Sequence, residues 1–278
     1  MSTTRTETLD AARPEAYRGT FAPRDAVLAD GDPLPPGWEA VFFPFAAPLN
    51  DLRPDGTPAR DGILPETDLP RRMYAGEDTV FAAALHVGDR VTQTARAGRI
   101  QEKTGASGRL VFADIEREFV VDGEVRVRSV WHDVFLEQAA GPGRPPRTDP
   151  LAAAEAAWVE EVHLDARQLF RFSALTFNTH LVHYDRRWAQ EVEGLDDLLV
   201  HGPLLRLLMV DAARRRTPDR RVRALRVRMT APAFVDTTLR LCGDADATRV
   251  VALGPGDVVL ATAEIDAAPA VSPGGSAR

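Results

Sequence analysis

The stretch Phe172-Ser-Ala-Leu-Thr-Phe-Asn-Thr-His-Leu-Val-His-Tyr-Asp185, with Val200-His-Gly-Pro203 close behind it, decides how this chain is read. It brings Asn178, His180, His183 and His201 together, so three of the six histidines fall in one segment. Imidazole is the side chain best suited to proton transfer near neutral pH. The His-Gly-Pro step stands directly before the apolar run Leu204-Leu205-Arg206-Leu207-Leu208-Met209-Val210. That run predicts a buried helix from Pro203 to about Arg215, with proline suited to the first helical position. A helix start offers free backbone N–H groups to a developing negative charge. Acid–base chemistry beside a polarised carbonyl is what this pairing suggests.

Strands surround the helix in the reading. Behind it come Val222–Thr230, Thr237–Cys242, Arg249–Leu253 and Val258–Ile265. The first half offers Thr79–Leu85, Arg90–Gln101, Arg109–Val121 and Glu124–Glu137, the last two joined by the hairpin signal Asp122-Gly123. A helix for the first half is sought in Arg13–Leu28 or within 61–76. The expected class is therefore α+β, with a helix wrapped by an antiparallel sheet present twice. Residues from about Asp30 to Pro70 are rich in Pro and Gly and read as irregular chain. Gly141-Pro-Gly-Arg-Pro-Pro-Arg-Thr-Asp-Pro150 reads as a linker, giving units at 1–140 and 159–278 with 141–158 between them. The last dozen residues predict an unstructured tail.

Composition narrows the function. The chain has 278 residues and a formal net charge of −7, which argues against nucleic-acid binding. Of its 34 basic residues only Lys103 is a lysine. Cys242 is the only cysteine, so neither an intrachain disulfide nor a cysteine metal site is expected. No apolar run approaches the roughly 20 residues of a membrane helix. Residues 1–20 lack the apolar core of a signal peptide. A cytoplasmic protein is the expectation.

The 172–203 segment, with Val227-Arg-Met-Thr-Ala-Pro-Ala-Phe-Val-Asp236, Leu85-His-Val-Gly-Asp-Arg-Val91 and Glu102–Leu110, resembles the MaoC-like hot-dog hydratases and dehydratases. The branch it is similar to holds the mesaconyl-CoA and itaconyl-CoA hydratases and the type 2 hydroxyacyl-thioester dehydratases. The resemblance implies a double hot-dog, two antiparallel sheets each wrapped around a central helix. The first unit is degenerate and the second catalytic. It implies reversible addition of water to a 2-enoyl thioester carried on coenzyme A or acyl-carrier protein, with no metal or redox cofactor. It leaves a homodimer open.

Carried over residue by residue, His183 is the proton-transfer group. Asn178 stands where most relatives carry an acid, and the Gly202 amide is the oxyanion donor. Asn cannot act as a base but can hold a water. His180 and His201 are candidates for substrate contact or for bracing the site. Arg71 and Arg72, read as lying in a loop, are candidates for gripping a substrate carboxylate, against the alternative of a solvated pair. The arginines of Arg214–Arg228 are candidates for coenzyme A phosphates. Asp185 is read as a helix cap, Phe172 and Phe177 as packing residues. Three other functions stay open: a β-hydroxyacyl dehydratase of fatty or polyketide type, a hot-dog thioesterase, and an inactive acyl-thioester-binding protein.

Overall fold

The computed structural model describes residues 2–44, 47–59, 62–64, 66–105, 108–137 and 147–269. In chain order these form β1 (Ser2–Thr8), α1 (Ala12–Phe21), β2 (Arg71–Phe81), β3 (Arg90–Gly105), β4 (Gly108–Val121), β5 (Glu124–Leu136), α2 (Pro150–Ala154) and β6 (Trp158–His163). They continue with α3 (Ala166–Thr176), α4 (Gly202–Arg216), β7 (Arg220–Met229), β8 (Thr238–Gly243), β9 (Arg249–Leu253) and β10 (Val259–Pro269). Expected strand positions hold for β3, β4, β5 and β7 to β10. The Asp122-Gly123 turn joins β4 to β5 with both residues at positive φ, 51° and 82°.

The two expected sheets join edge to edge. All ten strands lie in one sheet, ordered β1-β3-β4-β5-β2-β7-β10-β9-β8-β6. The first five belong to the first half of the chain and the rest to the second. The seam is the antiparallel pair β2–β7, where Gly76 faces Arg228 and Glu77 faces Val227. This is a double hot-dog. The long helix α4 packs against β2, β7, β8, β9 and β10, so it touches strands of both halves. Its residues Leu204 to Ala213 are all buried, Arg206 and Asp211 included. Apolar burial of this kind contributes about 25 cal/mol per Å² and is the main force holding helix to sheet.

Asp211 shows how the buried polar groups are satisfied. It accepts hydrogen bonds from the Tyr17 hydroxyl and the Trp38 indole, both at 2.9 Å. The first-half helix α1 and the 3-10 turn Trp38–Val41 are thereby anchored to α4. Helix α1 falls on the first of the two regions sought for it, starting one residue before Arg13, but residues 71–76 of the second begin a strand.

Several expectations shift. Arg71 and Arg72 lie in β2, which starts eight residues before the strand read at Thr79 and ends at Phe81. Ala267–Pro269 of the expected tail belong to β10, where they pair with β7. Residues 270–278 and 138–146, with most of the expected linker's Pro/Gly core, lie outside the described residues. None of the described helices is long and apolar enough to cross a membrane.

Candidate active site

The site is built on the loop between α3 and α4. Helix α3 opens with a capping box in which Asp165 accepts from the Gln168 amide and Gln168 returns the bond. It closes at Phe177 in the left-handed conformation, with the Asn178 amide reaching back to the Ser173 carbonyl at 2.8 Å. Asn178 Oδ1 then accepts the His180 amide at 3.0 Å. A 3-10 turn over Leu181–His183 follows. Asp185 Oδ1 accepts the Trp188 amide at 2.9 Å, the cap expected of it.

The first half of the chain clamps this loop. Thr179 Oγ1 donates to the Gly56 carbonyl at 2.7 Å, and the Leu181 amide donates to the Asp55 carbonyl at 2.8 Å. Gly56 sits at φ +84°, and a Cβ there would overlap the Thr179 carbonyl. Only glycine permits that approach. The Pro/Gly-rich segment of the first half is thus part of the site.

Three imidazoles share the centre. His183 Nδ1 lies 2.7 Å from the Leu199 carbonyl oxygen. A carbonyl only accepts, so Nδ1 carries the proton and Nε2 carries the lone pair. The His183 ring stacks on His201 at 3.6 Å between centroids, and the His180 ring stands edge-on to it at 5.4 Å. His201 is fully buried, and its Nε2 lies 2.8 Å from Ser173 Oγ. It braces His183 rather than lining the cavity. Burial, with His180 nearby, pushes His183 down to about 3. Burial, with Arg72 nearby, pushes His180 down to about 4. Burial also lowers His201. All three are neutral at pH 7.

These shifts set an acid sensitivity. The folded chain holds its histidines below their unfolded value near 6.5, so the unfolded chain binds more protons in acid. The stability involved is present above pH 6.5 and is lost as pH falls toward 4 and 3. Each such group adds up to about 1.4 kcal/mol per pH unit. The melting temperature is expected to fall by roughly 10 °C between pH 7 and pH 5. The His201→Gln variant is expected to show a shallower fall, and an unchanged slope would show that His201 does not contribute.

A cavity of about 480 Å³ is lined by His180, His183, Asn178, Gly202, Arg72 and Tyr74, among others. Gly202 is the first residue of α4, so its N–H lacks an intrahelical partner. The Tyr74 ring packs so tightly on Gly202 that a Cβ there would overlap it. The space on the side of its absent Cβ is therefore held by an aromatic side chain.

The arginine candidates divide. Arg72 lines the cavity and donates through Nε and Nη2 to Asp133 Oδ2 at 2.9 and 2.6 Å. Arg71 does not line it; Nε lies 3.0 Å from Glu193 Oε2 and Nη2 donates to the Val192 carbonyl. Arg214 pairs with Asp25 and Asp211, while Arg215 and Arg216 pair with Glu160. These three lie at the far end of α4 from Gly202. Arg226 and Arg228 pair with Asp78. Phe172 is buried as expected, but Phe177 is 57% exposed and forms part of the cavity wall.

Sequence reading missed Asp55, Tyr74, Arg117 and Arg206. Asp55 is 4% exposed, its Oδ1 accepts from the Thr57 amide and hydroxyl, and its Oδ2 lies 3.9 Å from His180 Nε2. Among the described residues Oδ2 has no hydrogen-bond partner. Only Arg206 carried a signal, as a charge inside a helix otherwise read as buried.

The fold is that of the hot-dog class, and comparison with known proteins supplies the activity. The family model for hydroxyacyl-thioester dehydratase type 2 matches residues 37–235. The chain is 33% identical over 253 residues to the mesaconyl-C(4)-CoA hydratase of Chloroflexus aurantiacus, covering 90% of each. The crystal structure of HtdX from Mycobacterium tuberculosis superimposes with a TM-score of 0.69 at 18% identity, over 95% of this chain and 99% of that one. Another M. tuberculosis protein, described as having a double hotdog fold, gives a TM-score of 0.65 at 14% identity, over 96% and 95%. The chain belongs to the hydroxyacyl-thioester dehydratase type 2 family. It is a hydro-lyase that hydrates or dehydrates acyl thioesters.

Proposed function

We propose that this enzyme reversibly hydrates a short 2-enoyl-CoA whose acyl group carries a second carboxylate, of the mesaconyl type. One observation carries the catalytic part. The His183 Nδ1–H is held by the Leu199 carbonyl, which leaves Nε2 as an acceptor in the same cavity as the N-terminus of α4. The substrate part is supported by the name of the relative from Chloroflexus.

In this reading the thioester carbonyl lies on the Gly202 N–H. The water donates one hydrogen bond to His183 Nε2. Asn178 Oδ1 is engaged by the His180 amide, so Asn178 offers its NH₂ group to the water oxygen. The water oxygen bonds to C3 and its proton passes to His183. The π electrons move to the thioester oxygen, forming an enolate that Gly202 stabilises. His183 returns the proton to C2, and dehydration runs the steps backwards. The imidazolium formed on the way is costly in a buried site. The Asp55 carboxylate, beside His180 on the flank of His183, supplies the compensating charge. No step passes through a metal or redox group.

The test follows the absorbance of the conjugated enoyl thioester with crotonyl-CoA and mesaconyl-CoA. Loss of absorbance without release of free thiol is expected, with the faster rate on mesaconyl-CoA. Thiol release without hydration would make the protein a thioesterase. Absence of both signals would favour the binding-protein reading.

A further inference from the structure

Behind the cavity that holds the histidines lies a second one of about 430 Å³, under the sheet of the first half. The two share the wall residues Ala47, Pro58, Arg72, Trp131, Asn178 and Pro203, so they adjoin at the catalytic asparagine. The first cavity has an exposed apolar rim, with Leu49 82% and Phe177 57% exposed. A substrate fixed at Gly202 with its bulky carrier at that rim has its acyl group directed to the second cavity.

The chemistry of this inner chamber is unlike that of a fatty-acyl tunnel. Phe43, Phe119 and Ile115 line it, but so do Arg5, Arg72, Arg117 and Arg206 against only Glu39 and Glu77. Counting Asp133, which holds Arg72, the described groups are four cations and three carboxylates. Among the described residues no carboxylate bonds Arg5, although Glu7 is near enough to act on its charge; Arg5 donates to the Pro44 and Phe43 carbonyls and to Gln93 Oε1.

Donors are left over as well. Arg117 Nη2 bonds Glu77 Oε1 at 2.9 Å, and its guanidinium lies over the Trp131 ring at 4.7 Å. Among the described residues, Arg117 Nε is buried with no hydrogen-bond partner. Arg206 Nε and Nη1 are likewise buried without a hydrogen bond among the described residues, although Nε lies 3.3 Å from Glu77 Oε2. An unsatisfied buried donor is destabilising. Native structures carry few of them, and each calls for an explanation. Arg206 Nε faces Glu77 Oε2, and one bound carboxylate accounts for the spare charge and for Arg117 Nε and Arg206 Nη1. Arg206 stands four residues beyond Gly202, about 6 Å along the helix axis. That spacing matches a short acyl chain.

We infer that the inner chamber seats the carboxylate at the far end of the acyl group, and that Arg117, stacked on Trp131 with Nε unbonded, is the residue that selects it. This rests on the proposed hydration of an enoyl thioester and adds where its second charge is read. Arg206 is only 1% exposed and supports the chamber from the helix side.

The experiment compares glutaconyl-CoA with 2-pentenoyl-CoA, equal in length and differing in a terminal carboxylate against a methyl. In the wild-type enzyme kcat/KM is expected to favour glutaconyl-CoA by at least tenfold. In Arg117→Met that ratio is expected to fall at least tenfold, mainly through KM, and Arg117→Lys is expected to retain part of it. A purely structural ion cluster predicts a lower melting temperature in both variants with the ratio unchanged, and that result overturns the inference. A wild-type enzyme that hydrates both substrates equally also overturns it while leaving the hydratase reading intact. Failure to hydrate either one removes the hydratase reading and this inference with it.

Discussion

Replacing His183 by Ala is expected to lower kcat for enoyl-CoA hydration by about 10²–10⁴-fold, the range that a positioned acid–base group supplies. The fold should survive, because α4 and the sheet, not this ring, make the core. A sharper variant is His183→Asn. The asparagine NH₂ can take the place of Nδ1–H and keep the bond to the Leu199 carbonyl, while nothing replaces the Nε2 lone pair. Both variants are therefore expected to be equally inactive, with His183→Asn closer to wild type in melting temperature. An active His183→Asn enzyme would reduce His183 to a prop for the loop and leave His180 as the remaining base. Asp55→Asn, which keeps the shape and removes the compensating charge, is expected to lose about tenfold in kcat. Rates come from enoyl absorbance, and folding from circular dichroism.

What was legible in the sequence follows from how local each signal is. The 172–203 segment carries the histidines, the asparagine and the helix start in one continuous run, so the site's second-half wall could be read. Helix α4 was legible because its apolar side chains leave almost no polar face. Strands β1 and β6 were missed because they are the two edges of the sheet. Every second residue of β1 is exposed, and Thr4 and Thr6 meet Thr94 and Thr92 of β3 through hydroxyls, not apolar packing. Helix α3 was missed although Asp165 and Gln168 stand at capping-box spacing. Asp55 and Arg117 were out of reach for another reason. Their roles depend on contacts with His180 and Glu77, 125 and 40 residues away in sequence. The described part of the Pro/Gly segment read as irregular is irregular in path, yet it delivers a carboxylate to the histidines.

Gly202→Ala is expected to cost about 10²-fold in kcat, comparable to loss of an oxyanion donor, although no donor is deleted. The backbone N–H remains and φ at this position is not in the left-handed region, so the alanine is not strained by its own backbone. The new methyl instead collides with the Tyr74 ring, which has little room to yield. Tyr74 stands edge-on to Trp131 with ring centroids 4.5 Å apart, and its hydroxyl is buried. Either the start of α4 moves away from the thioester oxygen or the ring moves into the cavity, and a displacement near 1 Å suffices for a loss of this size. The two outcomes separate kinetically. A displaced amide lowers kcat with KM little changed, whereas a displaced ring raises KM by filling the space the substrate needs. Trimming the ring in Gly202→Ala/Tyr74→Leu should then recover part of the loss. If Gly202→Ala alone retains wild-type kcat and KM, the Gly202 amide is not the group that holds the enolate oxygen.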